Sequence, residues 1–279
     1  EPGSTHNDRI VFGEGILAES VEVYREESHL VLRYSESDKV TIQNVYSNWG
    51  NAYWVEEIEF ADGTVWDISV IAEKAGTYRG TDGNDSFSGY GTMKGYHEDE
   101  VYHMGAGNDT VNAGDGNDRL NGGEGDDRLY GGAGRDLING GVGNDTLDGG
   151  AGSDIYLFNP GDGADTISDY DTTENSVDTI AMGATADQLV FSQSGSDLLI
   201  SVLGTADSVR VQNWYRGSAY QIENIQSADG WSLSNTQVDL LIQSMASFES
   251  TSGVTWSEAV AAGREEANTL VCQMWANRD

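Results

Sequence analysis

Between Met104 and Leu157 one hydrophobic residue returns every nine positions, at Val111, Leu120, Leu129, Ile138, Leu147 and Tyr156. The nonapeptide that carries it holds phase six times without a break, from Met104-Gly105-Ala106-Gly107-Asn108-Asp109-Thr110-Val111-Asn112 to the copy that starts at Gly149. A further copy starts at Pro160 after a two-residue insertion (Phe158, Asn159), and an earlier one starts at Gly80. The stretch 89–103 is degenerate, with Glu100 where the aspartate belongs. A short fixed period predicts a solenoid, in which each unit buries its apolar side only against its neighbours. The last three residues of each copy predict a very short strand with one side chain inward. Alternate turns then fall on opposite sides of a flattened roll, and turns 18 residues apart stack on the same side.

A longer repeat brackets the first. Residues 29–63 and 197–230 correspond, with Leu30-Val31-Leu32 matching Leu198-Leu199-Ile200 and Val40-Thr41-Ile42-Gln43-Asn44 matching Val209-Arg210-Val211-Gln212-Asn213. An aromatic stretch follows each (45–49 in one, Trp214-Tyr215 in the other), and both copies run on to Ala-Asp-Gly. Alternating apolar positions and turn residues such as Gly195-Ser196 predict antiparallel hairpins. The tail predicts helices. Val238, Leu241, Ile242, Met245 and Phe248 recur at helical spacing behind Ser234-Asn235, and Thr255-Trp256-Ser257-Glu258 is a capping-box pattern that opens a second helix towards Leu270 and Trp275. The expected fold is all-β: a parallel β-roll between antiparallel β caps, with a short α-helical C-terminus. The expected organisation is a strand unit at 1–76 belonging to a preceding block, the roll at 77–172, an antiparallel cap at 173–235 and a helical tail at 236–279.

Charge sharpens this picture. Acidic residues outnumber basic ones 47 to 14, for a net charge of −33 and a pI near 4.1. That excludes a nucleic-acid or anionic-membrane surface, both of which select basic patches. It also predicts self-repulsion that bound cations would relieve. A disordered acidic chain is excluded by a 38% hydrophobic content with 7 Trp and 13 Tyr, which need a core. The lone Cys272 permits no intrachain disulfide. No apolar run reaches bilayer-spanning length, and Glu1–Asp8 has neither the basic nor the apolar region of a signal peptide. A strand pattern begins within about ten residues of the first position, so the chain reads as a monomeric fragment of something longer.

The nonapeptide carries the chemistry. Glycines allow turn conformations that a Cβ forbids, so the backbone can fold tightly around an ion and aim several carbonyl oxygens at one point. The aspartate adds a charged oxygen. An all-oxygen, flexible donor set suits Ca²⁺, whereas Zn²⁺ would call for histidine or cysteine. The four histidines are scattered. Glu98, Asp99, Glu124, Asp148 and Asp162 read as solvated charges.

These repeats resemble those of the RTX (repeats-in-toxin) haemolysin-type calcium-binding family over Gly80 to Ser168. Asp154 through Phe248 is similar to the last repeat block of adenylate cyclase toxin-haemolysins and related type I-secreted toxins and adhesins. The resemblance implies several Ca²⁺ ions, each between two stacked turns. One turn gives its aspartate and the carbonyls of its second and fourth positions, the other its aspartate and those of its first and third. Carried over, Asp109 with Gly105 and Gly107 faces Asp127 with Gly122 and Glu124. Asp118 with Gly114 and Gly116 faces Asp136 with Gly131 and Ala133. Asp127 with Gly123 and Gly125 faces Asp145 with Gly140 and Val142. Asp136 with Gly132 and Gly134 faces Asp154 with Gly149 and Ala151. Asp145 with Gly141 and Gly143 reaches Asp165 across the insertion, and Asp85, before the degenerate stretch, is the remaining candidate.

The same resemblance implies a secreted, extracellular bacterial protein whose partner is a type I secretion apparatus, which reads a C-terminal signal in the tail. The expected function is a module that is unfolded in the cytosol and folds on Ca²⁺ after export. Two alternatives stand beside it: a module that binds a host receptor or glycan, with Trp214 and Tyr215 as a carbohydrate platform, and the C-terminal chaperone-like domain of a secreted protease or lipase. No nucleophile elbow, zinc helix or phosphate loop is present, and Pro2 and Pro160 do not follow aspartate, so no enzyme is expected in this segment.

Overall fold

A computed structural model of the chain describes residues 8–26, 29–43, 55, 57–67, 70–71, 74–88, 99–264, 269 and 275–277. The aromatic stretch 45–49, most of the degenerate stretch, Leu270 and Cys272 lie outside the described residues. Two long sheets face each other. One has eight strands and the other twelve, and successive turns of the solenoid alternate between them.

In the eight-stranded sheet, Ser86–Ser88, Thr110–Asp115, Arg128–Gly134, Thr146–Gly152 and Ala164–Ile167 run parallel in that order. The twelve-stranded sheet interleaves Thr77–Arg79, Val101–Ala106, Arg119–Glu124, Leu137–Val142 and Ile155–Phe158. Strands of six or seven residues replace the expected tripeptides. Once two turns are stacked, their glycine segments pair as well: Gly114 lies opposite Gly132, and Gly123 opposite Gly141.

The period-nine hydrophobes become two columns. Phe87, Val111, Leu129, Leu147, Ile167 and Val211 are register partners along one wall. Tyr78, Tyr102, Leu120, Ile138, Tyr156, Ile180 and Ile225 are partners along the other. All are buried in one continuous core. Parallel in-register stacking demands a side chain that repeats at one height, which is why the hydrophobe recurs every nine residues.

Both flanking units are hairpins. His29–Arg33 pairs antiparallel with Lys39–Ile42, and Asp197–Val202 with Ser208–Val211. The C-terminal unit is less antiparallel than the sequence suggests. Thr179–Met182, Ser208–Val211 and Asn224–Gln226 extend the roll's own sheets in parallel, so the cap shares its hydrogen bonding with the roll. An 18-residue helix, α1 (Asn235–Ser252), starts from a capping box between Ser234 and Gln237 and buries Val238, Leu241 and Met245. The six-residue α2 (Trp256–Ala261) starts where Thr255 accepts from the Glu258 N–H. Its Trp256 meets Phe248 edge-on at 5.7 Å. Trp214, on the cap, is fully buried, so it packs the core and offers no carbohydrate platform. No described helix is long and apolar enough to cross a membrane.

At saturating Ca²⁺, truncation of a column residue should cost far more than truncation of an outward one. Leu129→Ala should lower stability to urea by about 2–5 kcal/mol, the usual penalty of a large-to-small change in a packed core. Val142→Ala, whose side chain is 55% exposed, should stay within about 0.5 kcal/mol of the parent. Equal losses would contradict the two-column core.

Candidate metal centres

Each turn folds around glycines that only glycine could supply. Gly123 and Gly125 have φ of +109° and +127°, in the region L side chains avoid. A Cβ on either would lie 1.9 Å from the carbonyl oxygen of Gly105 or Gly107 in the turn below. These second- and fourth-position carbonyls are therefore packed flat against the next stacked turn.

The sixth-position aspartates form two ladders, one at each edge of the roll. In the first, the N–H of Asp85 donates to Asp109 Oδ1, Asp109 to Asp127, Asp127 to Asp145 and Asp145 to Asp165, over 2.7–2.9 Å. In the second, Glu100 donates to Asp118, Asp118 to Asp136, Asp136 to Asp154 and Asp154 to Asp178, over 2.6–2.8 Å. The spacing is 18 residues inside the perfect repeats and stretches to 20 or 24 where the repeats break.

Only one oxygen of each carboxylate is used this way. The Oδ2 atoms of Asp109, Asp118, Asp127, Asp136, Asp145 and Asp154 are buried, and no hydrogen-bond donor reaches them. A buried carboxylate oxygen without a donor or cation is strongly destabilising. Beside Asp127, Asp136, Asp145 and Asp154 the space is shaped by the first-position glycine. A Cβ at Gly122 would sit 2.1 Å from Asp127 Oδ2 and 2.4 Å from the Gly140 carbonyl oxygen. At Gly131 the same point lies 2.2 Å from Asp136 Oδ2 and 2.8 Å from the Gly149 oxygen. Gly140 and Gly149 keep the same space open beside Asp145 and Asp154. The third-position carbonyls of Glu124, Ala133 and Val142 each accept one N–H, from Gly107, Gly116 and Gly125, and keep a second lone pair. An oxygen-lined cradle with an unpaired negative charge fits a hard cation such as Ca²⁺.

Burial raises these acids: Asp127 and Asp154 to about 6, Asp136, Asp145 and Asp165 to about 7, and Asp109 and Asp118 in the same direction. Glu100 is buried, raised by burial and by the Asp118 charge, and has an Oε1 that no donor reaches. Although the residue is one methylene longer, it takes the aspartate's place in the ladder. Asp85 differs, because its Oδ2 already accepts from the Thr81 N–H and hydroxyl.

Asp162 corrects the sequence reading of solvated charges. It is buried and accepts from the Asn159 N–H at 2.6 Å, closing the turn around the insertion. Asp148 is half-buried, whereas Asp99 and Glu124 are exposed; Glu98 lies outside the described residues. Sequence reasoning missed Asp178. Val177-Asp178-Thr179-Ile180 repeats the second half of the nonapeptide without its glycines, a legible but unaccompanied signal.

A stacked parallel roll with aspartate-and-carbonyl cradles at its turns defines a calcium-type β-solenoid. Comparison with known proteins agrees. The profile of the RTX calcium-binding nonapeptide repeat (4 copies) matches at 105–129, 121–156 and 130–167. That of the haemolysin-type calcium binding protein related domain matches at 29–69 and 197–237, the two bracketing copies. The chain belongs to the RTX haemolysin-type calcium-binding family, whose nonapeptide repeats bind Ca²⁺. It is similar to the iron-regulated protein FrpA of Neisseria meningitidis serogroup C, with 35% identity over 85 residues, 30% of this chain and 7% of that protein. It thus spans a small part of that relative's length. Extracellular lipase LipA from Serratia marcescens is a structural match at 18% identity over 72% of this chain and 31% of that one. Its TM-score of 0.19 carries no argument.

The raised acids fix a pH response. Asp136 goes from an ordinary 3.8 to about 7 on folding. Without metal its ionisation penalty is therefore absent at low pH and grows as pH rises through that window. In EDTA, far-UV circular dichroism should show β-structure gained as pH falls from 7.5 towards 4. Asp136→Asn should make the metal-free chain less pH-dependent while weakening its response to Ca²⁺ at pH 7.5. A metal-free chain with one spectrum at both pH values would contradict this.

Proposed function

We propose that this chain is the Ca²⁺-dependent folding and export module of a secreted bacterial RTX protein. The observation that carries the reading is the row of buried aspartate oxygens without a donor in two ladders, those of Asp127, Asp136, Asp145 and Asp154 each beside a glycine-shaped cradle. The ions sit between stacked turns, held by Asp109, Asp118, Asp127, Asp136, Asp145, Asp154 and Asp165 with first- to fourth-position carbonyls. Each internal aspartate belongs to two neighbouring turns, so the sites fill cooperatively. Where Ca²⁺ is scarce, as in the cytosol, like charges keep the segment unfolded and able to be threaded through a type I exporter. Outside, Ca²⁺ at about 10⁻⁴–10⁻³ M binds the folded state alone and stabilises it by mass action.

The cap is the folding nucleus in this reading. It supplies the last acceptor of the second ladder, the Glu223 carboxylate, which takes the Asp178 N–H at 3.0 Å. Covering the open end is what terminal units of solenoids do.

Circular dichroism during a Ca²⁺ titration tests the reading. The chain should pass from disordered to β-rich in a steep transition and revert on adding EDTA. A chain ending at Tyr170, which lacks both the cap and the helical tail, should need several-fold more Ca²⁺ or fail to fold. Full native structure in the metal-stripped chain would defeat the switch, and an undiminished response after truncation would defeat nucleation by the cap.

A further inference from the structure

A second kind of acidic site lies where the repeats end. Asp154, Asp169 and Asp178 place carboxylate oxygens within 4.8 Å of one another, and all three residues are buried. They come from three separate segments. Asp154 precedes the strand Ile155–Phe158, Asp169 follows Ala164–Ile167 on the opposite sheet, and Asp178 precedes Thr179–Met182, the first cap strand on the roll's sheet.

Protein donors account for only part of this cluster. Asp178 Oδ1 accepts the Asp154 N–H at 2.8 Å, and Asp154 Oδ1 accepts the Asp136 N–H at 2.8 Å. Asp169 Oδ1 accepts the Gly150 N–H at 3.2 Å, and the Tyr156 hydroxyl donates to the same carboxylate. Tyr156 is itself fixed, since its oxygen accepts the Gly149 N–H at 2.7 Å. What remains is Asp154 Oδ2, in a residue with no solvent exposure and reached by no donor. A hypothetical Cβ on Gly149 would lie 2.3 Å from it and 2.6 Å from the Tyr156 oxygen, so the aspartate oxygen and the phenol border one small space.

We infer that Asp169 joins Asp154 and Asp178, the last rung of the second ladder, in a Ca²⁺ site at the junction of roll and cap that no pair of complete nonapeptides supplies. The donors are hard oxygens with three formal charges, which selects Ca²⁺ or a lanthanide over softer metals. Its mechanical effect differs from that of the turn sites. Those link neighbours within one edge of the roll, whereas this one ties the last turn to both the opposite sheet and the cap, so that the cap docks when the ion binds. The inference rests on the reading of the roll as Ca²⁺-binding, and Asp169, which belongs to neither ladder, separates the two.

Equilibrium dialysis with elemental analysis counts the ions. At saturating Ca²⁺, Asp169→Asn should bind one ion fewer per chain than the parent, whereas Glu174→Gln, an exposed charge in the same connection, should bind the same number. An undiminished count in a folded Asp169→Asn chain overturns the junction site and leaves the roll reading standing. A parent that binds no Ca²⁺ overturns both. If Asp169→Asn does not fold, crystals of the parent soaked in Tb³⁺ decide: an anomalous peak among the three carboxylates supports the site, and its absence while the turn sites are occupied overturns it.

Discussion

Everything in the roll depends on a carboxylate used at only one of its two oxygens. Asp127, Asp136, Asp145 and Asp154 each accept a backbone N–H through Oδ1, which fixes the rotamer and aims Oδ2 into a space bordered by glycine. The N–H bond alone would favour the charged form, but burial outweighs it, as the upward shifts of Asp127, Asp136 and Asp145 show. The geometry is thus complete for a cation and unfavourable without one. That asymmetry, more than the number of acidic residues, is what makes a fold conditional on an ion.

The hydrophobic columns and the glycine turns make the ladders possible in different ways. One or two buried apolar side chains per turn make a thin core, so the roll cannot easily offset a row of unpaired carboxylates by burial alone. The glycines let stacked carbonyls approach so closely that a methyl group at Gly125 would collide with the Gly107 oxygen. A larger residue would add apolar area and destroy the cradle. The composition of the repeat is therefore a compromise that leaves stability to the ion. The N-terminal unit is built otherwise, with a core of its own around Ile58, Phe60 and Trp66 and surface ion pairs such as Lys39–Glu26.

The roll was legible because its constraint repeats. A glycine, an aspartate and a hydrophobe in phase identify the turn, the acceptor and the core position, and the 18-residue stacking follows from strand alternation. The duplicated hairpins were legible from Leu30-Val31-Leu32 and its counterpart. Single occurrences were not. Asp178 enters the ladder through a connection 24 residues long, and Asp169 has no repeat-borne spacing to mark it. Asp162 looked like one more surface acid, yet the insertion at Phe158-Asn159 folds back over it. The cap strands alternate like ordinary antiparallel strands, and nothing local in them specifies that three would join the roll in parallel.

The ladders also have a direction. In every rung the donor N–H belongs to the upstream residue and the acceptor carboxylate to the downstream one: Asp109 to Asp127, Asp118 to Asp136, Asp154 to Asp178. A turn's aspartate N–H therefore gains its partner only when the next same-side turn towards the C-terminus is in place. At the far end Asp178 finds its acceptor in Glu223, within the cap. Structure that grows from the cap leaves no buried N–H behind it, whereas growth from the N-terminal side would strand one at each advancing edge. On the proposed reading, in which the chain leaves an exporter C-terminus first, these steps come in the favourable order, and the polarity of the hydrogen bonds and the position of the cap address the same kinetic problem.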